Sequence, residues 1–229
     1  MLTLGLDEAG RGPILGPMVM AVVALTPRAA SSLTRAGVAD SKLFIGPDAQ
    51  EIRASLVPRI LAVADHVALR VVDVEEIDAA CAVQGLNRLE QRLGAGLIDE
   101  SPVARRIVCD GQRLFSPLKA RFSGLEARDH GESVHVAVAA ASIVAKVRRD
   151  ELFAHIWRRY APLLELSAQP RGGGYLNDAT RAFLRALIGR TRALPPEGRH
   201  TWPWGFATDL LPRPHRRRTA QAELPGLVE

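Results

Sequence analysis

Apolar residues in this chain gather into short unbroken blocks near its start and settle into helical spacings further on. Residues 2–7 and 18–26 read as buried strands, joined as a hairpin through Gly12-Pro13 and Gly16-Pro17. Asp40-Ser41-Lys42 falls in a loop, 48–64 has the spacing of an amphipathic helix, 66–72 is the next strand and 83–97 a second helix. A short buried strand follows at 106–110 and another at 122–128. The longest helical stretch covers 136–160, and a shorter amphipathic helix covers 179–188. Strands early, alternation in the middle and helices at the end predict an α/β fold with a mixed sheet flanked by helices. From Ala193 onward prolines and arginines replace the periodic pattern. The chain is therefore expected to divide into a main unit, 1–192, and a Pro/Arg-rich segment, 193–229, frayed from Thr219.

Composition narrows the setting. The apolar run 18–25 is too short to span a bilayer and no secretory leader pattern opens the chain, so a soluble, cytoplasmic protein is expected. Cys81 and Cys109 form no CxxC pair and have no histidine at zinc-ligand spacing, which argues against a disulfide framework or structural zinc. A net charge of +5 favours a polyanionic partner without naming it. Only three of 30 basic residues are lysines, Lys42, Lys119 and Lys146, and these mark places where a compact point charge suits better than a planar fork.

The densest chemistry lies in Asp7-Glu8-Ala9-Gly10-Arg11-Gly12. Carboxylates at a strand end collect divalent cations, and bare amides in a glycine turn collect oxygens. Consecutive strand residues face opposite sides, so both acids reach one metal only if the strand ends between them; Gly10 is expected to supply that ending. Arg106-Ile107-Val108-Cys109-Asp110-Gly111 repeats the arrangement with one carboxylate. Neighbouring strand ends are where α/β sheets bind ligands. Within 139–150, Ser142 and Lys146 stand four apart and share a helical face suited to a phosphate backbone.

Taken in order, the stretches 7–12 with Gly16-Pro17, Asp40-Ser41-Lys42-Leu43, Asp110-Gly111 and 140–150 resemble the motifs of the ribonuclease HII family, type 2 ribonuclease H. The resemblance implies a ribonuclease H-like fold with a helical C-terminal portion. It also implies hydrolysis of the RNA strand of RNA/DNA hybrids and cleavage at ribonucleotides embedded in duplex DNA. Asp7, Glu8 and Asp110 match three of the family's four metal-binding carboxylates. Gly10, Arg11 and Gly12 match the turn whose backbone senses the ribose 2′-hydroxyl, and Lys42, Ser142 and Lys146 match polar positions near the substrate backbone. Tyr175 resembles the tyrosine that stacks on the sugar 3′ of the ribonucleotide, although Leu176-Asn177 follow where the family tends to carry Gly-Thr.

The fourth carboxylate is expected eight residues before Ala140, which gives Glu132 between Gly131 and Ser133; Asp129 is the alternative and would require an insertion. A set of hard oxygen ligands without histidine or cysteine points to two Mg²⁺ or Mn²⁺ ions. His66, His135 and His155 are expected to be structural, with His130 and His200 as neighbours of the site. Two other readings stay open: a non-catalytic nucleic-acid binding protein, and a DNA-directed nuclease, each on a ribonuclease H-like fold. Gln221-Ala222-Glu223-Leu224 is weakly similar to sliding-clamp binding peptides but lacks their aromatic pair.

Overall fold

The computed structural model describes residues 1–38, 44, 46, 48–165, 169–170 and 172–212. Asp40, Ser41, Lys42, Leu43 and the clamp-like stretch 221–224 lie outside these. The elements in chain order are β1 (Thr3–Ala9), β2 (Met18–Leu25), α1 (Pro27–Arg35), α2 (Ala49–Val63), β3 (His66–Val72), α3 (Val74–Ala82) and α4 (Leu86–Asp99). Then come β4 (Arg106–Asp110), α5 (Gln112–Phe115), β5 (Leu125–Arg128), α6 (Gly131–Val134), α7 (Val136–Leu164) and α8 (Asp178–Thr191). No helix among the described residues is long and apolar enough to cross a membrane.

The strands form one mixed sheet in the order β3-β2-β1-β4-β5. The first three pair antiparallel, whereas β1–β4 and β4–β5 pair parallel. β2 is buried along its whole length, as its unbroken apolar sequence requires of a strand covered on both faces. One face packs Ala9, Val19, Ala21 and Val23 against the start of α7, with α1 and α2 beside it. The other packs Leu4, Leu6, Met20 and Val22 against α4. α7 comes unusually close: a Cβ on Gly5 would stand 2.1 Å from the carbonyl carbon of Ala137. The alanines of 137–141 and the missing side chain at Gly5 together let the helix backbone rest on the central strand.

Several boundaries differ from the periodic reading. The expected helix 83–97 begins only at Leu86, because Gly85 N–H closes back on Ala80 O at 2.7 Å and ends α3 first. α3 itself, unforeseen, is capped by Asp73 accepting the Glu76 amide at 2.8 Å. α1, also unforeseen, starts on Thr26 accepting the Ala29 amide, with Pro27 in its first turn. β5 starts at Leu125, not 122, since Phe122 closes the preceding turn by bonding Leu118 O.

A third apolar cluster joins the second half of α7 to α8, and Trp204 and Ala207 from beyond residue 193 complete it. Gly198 also bridges Leu15. Over its described part, the Pro/Arg-rich segment is thus set apart by composition but not by packing.

Candidate active site

The parallel register of β1 and β4 runs out at Leu6 beside Cys109, so Asp7 and Asp110 follow on neighbouring strands at the same end of the sheet. Glu132 arrives from α6, whose leading amide, Gly131 N–H, donates to Asp110 Oδ1 at 2.7 Å and seats the short helix over the strand end. One carboxylate oxygen from each of Asp7, Asp110 and Glu132 lies within 4.8 Å of the others. The three acids come from distant stretches of chain and meet in a corner where Asp7 and Glu132 are buried.

Crowded carboxylates resist ionising together. Burial first, then the charges of Glu8 and Asp110, holds the Asp7 carboxyl well above the ordinary carboxylate range. The Ser142 hydroxyl and the Glu8 amide, the latter at 2.7 Å from Oδ1, act in the opposite sense. Ser142 is therefore buried against Asp7, while Lys146, one turn on, pairs with Asp150 at 2.7 Å.

β1 does not end between Asp7 and Glu8, as the sequence suggested. It continues through Ala9 because β2 supplies ladder partners, Met20 for Glu8 and Val19 for Ala9. The two acids therefore take opposite faces: Asp7 meets Ser142 of α7, and Glu8 lies toward Glu90 of α4. Burial, then the charges of Glu90 and Asp110, pushes the Glu8 carboxyl up to about 8, with Arg11 opposing. Its Oε2 is buried and has no hydrogen-bond partner among the described residues. The donor set of Asp7, Asp110 and Glu132 fits a hard divalent cation: every ligand atom is oxygen, and the crowded acids hold Asp7 above its ordinary range, while Glu8 stands outside this group of three. Asp129 instead lies at the surface, where it accepts the Gln112 amide at 2.7 Å at the head of α5.

The glycine turn beside this corner is shaped by its neighbours. Gly10 has φ +87°, and a Cβ there would meet Arg149 Nε at 2.7 Å. A Cβ on Gly12 would meet the Tyr175 ring at 3.0 Å, so that half-exposed tyrosine rests on bare backbone. The Arg11 side chain turns to α4, where Nε donates to both oxygens of buried Glu90 at 2.9 and 3.0 Å and Nη2 donates to Asn87 at 2.6 Å. Lys146, Asp150, Arg53 and Tyr175 line a groove of about 940 Å³. Arg53 approaches the Asp150 carboxylate at 3.7 Å. Lys42 lies outside the described residues.

His135 caps α7 by accepting the Ala137 amide, and the His200 amide donates to Asp78 on α3. Three buried side chains at the turn were not singled out from the sequence: Glu90, Arg149 and Arg199. Arg149 Nη2 donates to Leu15 O at 2.6 Å and Gly173 O at 3.0 Å, tying the turn to the strand of chain that carries Tyr175. Arg199 donates to carbonyls of Gly10, Arg11 and Gly16. The sequence gives an adjacent signal for Arg149 alone, which lies within the 140–150 motif.

A family model described as ribonuclease HII matches residues 4–202. The chain is 32% identical over 211 residues to ribonuclease HII of Methanothrix thermoacetophila, covering 88% of this chain and 94% of that protein. Among solved structures it resembles ribonuclease H2 from Pyrococcus horikoshii OT3, with a TM-score of 0.76, 27% identity and coverage of 92% and 97% of the two chains. It also resembles ribonuclease HII in its complex with PCNA from Archaeoglobus fulgidus, with a TM-score of 0.74, 26% identity and coverage of 89% and 96%.

Proposed function

Since this chain belongs to the ribonuclease HII family, nucleases with a ribonuclease H-like fold, we propose that it is a metal-dependent endoribonuclease. It hydrolyses the RNA strand of RNA/DNA hybrids and cuts 5′ of ribonucleotides embedded in duplex DNA. The convergence of Asp7, Asp110 and Glu132 within 4.8 Å carries this reading. A degenerate, non-catalytic member would be expected to lack one of these acids.

Asp7, Asp110 and Glu132 are the residues that would hold two Mg²⁺ or Mn²⁺ ions, with Glu8, on the opposite face of β1, adding negative charge near Asp110; when bound, the ions would neutralise charge on the attacking and leaving oxygens. The protein's own part is orientation. The Ser142 hydroxyl fixes Asp7 and the Gly131 amide fixes Asp110, as outer hydrogen bonds commonly do for carboxylate ligands. Gly10, Arg11 and Gly12 offer backbone to the ribose 2′-hydroxyl, and Tyr175 stacks beside the neighbouring sugar. Lys146, with Lys42, serves the phosphate backbone. Hydrolysis places the water oxygen on the phosphate, leaving a 3′-hydroxyl and a 5′-phosphate.

A duplex containing one ribonucleotide should be nicked only when Mg²⁺ or Mn²⁺ is added, and the matching all-DNA duplex should stay intact. Binding without cleavage would favour the non-catalytic reading, and cutting of both duplexes would favour a DNA-directed nuclease. A sliding clamp is a proposed partner because one solved neighbour is a PCNA complex. Surface plasmon resonance of the full chain and a 1–212 truncation on the clamp should show binding by the full chain alone.

A further inference from the structure

We propose that Arg199 is a positioning residue that aims the ribose-reading amides of the glycine turn, which makes it a determinant of ribonucleotide selectivity. The inference rests on the reading of the turn given above and extends it to a residue more than 180 positions away in sequence.

Arg199 is fully buried, and its guanidinium is spent on main-chain carbonyls. Nη1 donates to Arg11 O at 2.7 Å and Nη2 to Gly10 O; Nε and Nη2 donate to Gly16 O at 3.0 and 2.9 Å. No carboxylate forms an ion pair with it among the described residues. The cost of this placement is visible in its acidity: burial, then the like charge of Arg149, brings Arg199 down to about 10. A second contact grips the same turn, as Trp202 Nε1–H donates to Gly12 O at 3.0 Å while its ring lies 4.9 Å beneath the Arg199 guanidinium. The gripping segment is itself anchored to α3, where Asp78 accepts the amides of His200 and Thr201.

The consequence follows from the planar trans peptide, in which C=O and N–H point in opposite directions. Drawing Gly10 O inward turns the Arg11 N–H outward, and drawing Arg11 O inward turns the Gly12 N–H outward. Both residues are exposed, and neither amide has a partner among the described residues. The next peptide ends on Pro13, which has no N–H, so the turn presents two donors and no third. Two parallel amides on a rigid backing suit a hydroxyl or phosphate oxygen, and the backing keeps them aimed before the ligand arrives.

The test measures discrimination as the ratio of Ki for an all-DNA duplex to KM for the same duplex with one ribonucleotide. This ratio is independent of the fraction of folded enzyme, so a merely structural role would not move it. Arg199→Lys keeps the charge and loses the fork; the ratio should fall by about tenfold, the size of two misaligned hydrogen bonds, with Ki changing by less than about twofold. Trp202→Phe keeps the ring and removes one donor, and should lower the ratio by about threefold. Should Arg199→Lys fail to fold by circular dichroism, Trp202→Phe decides alone. Wild-type discrimination retained in the folded variants would overturn this inference by itself. A wild-type ratio near one would overturn the ribonucleotide reading and this inference with it.

Discussion

Two regions a few residues apart solve opposite electrostatic problems. The acidic corner gathers Asp7, Asp110 and Glu132 where β1, β4 and α6 converge, and burial with its acidic neighbours holds the Asp7 carboxyl above the usual range. The glycine turn is backed by two buried guanidiniums, Arg149 and Arg199, each brought down to about 10 chiefly by burial; backbone carbonyls accept from every nitrogen of Arg199 but only from Nη2 of Arg149. The first region is poised for a diffusible cation. The second carries its cations permanently, and the atoms we propose as its binding groups are amides that no side chain encodes. A site can thus be half chemistry displayed by side chains and half backbone held in place from behind.

The sharpest way to break this comparison is to remove a corner acid. Asp7→Asn or Asp110→Asn should reduce cleavage by more than about 100-fold, because even outer-sphere changes at metal sites cost about 10–100-fold. The same variants should melt, without metal, at or above the wild-type temperature, since a crowded repulsion is relieved. Activity within a few fold of wild type would remove the corner from the mechanism.

Next in size, Glu132→Gln should lower activity or raise the Mg²⁺ requirement by about tenfold or more. Asp129→Asn should change activity by less than about twofold, losing only part of a helix cap. Metal titrations that ranked the two in reverse would move the fourth ligand to Asp129.

At the turn, Tyr175→Ala should reduce preference for a ribonucleotide–deoxyribonucleotide junction over an all-RNA strand by about fivefold or more, the scale of one lost stacking contact. Duplex affinity should change less, because phosphate contacts supply most of it. Equal losses in the two quantities, measured by paired kinetics and anisotropy, would show that the ring supports binding alone.

The last effect is on stability and leaves cleavage aside. Glu8 has an ordinary value of 4.5 and is pushed up to about 8 by burial and acidic neighbours, so its protonated form is the one the fold prefers. Its contribution is fully present below pH 4.5 and is lost as pH rises to about 8. Metal-free wild type should therefore lose melting temperature relative to Glu8→Gln across that window, and Mg²⁺ should flatten the difference. Parallel melting profiles for the two proteins would contradict the assignment of this strain to Glu8.

How far the sequence reached depended on whether a signal was local. An apolar run, one carboxylate and a glycine mark Asp7 and Asp110 from within a few residues, and the spacing that the family resemblance implies pointed to Glu132 over Asp129, the one of the two that lies beside Asp7 and Asp110. The mixed sheet with flanking helices and the family were legible for the same reason. What escaped was set by distance or by competing signals. Arg199 stands in a stretch where prolines and arginines replace the periodic pattern, and its carbonyl partners lie more than 180 residues earlier. Glu90 is an ordinary polar position of an amphipathic helix until Arg11 reaches it. The caps at Thr26 and Asp73 were written in the chain, but α1 and α3 are short enough for the neighbouring periods to mask them.

The position of β1 has a consequence for synthesis. Of the five strands of this sheet, β1 is synthesised before the others and is the middle one in the finished order, with only its β2 side paired early. Its other neighbour begins at Arg106, and the helix that rests on Gly5 begins at Val136. At roughly 5–20 residues per second, a nascent hairpin spends on the order of ten seconds with Asp7 on an open edge and one apolar face bare. Open edges are where wrong strands pair. The hazard for this protein is concentrated in that interval, and its length is set by the order of segments along the chain, whatever the stability of the completed fold.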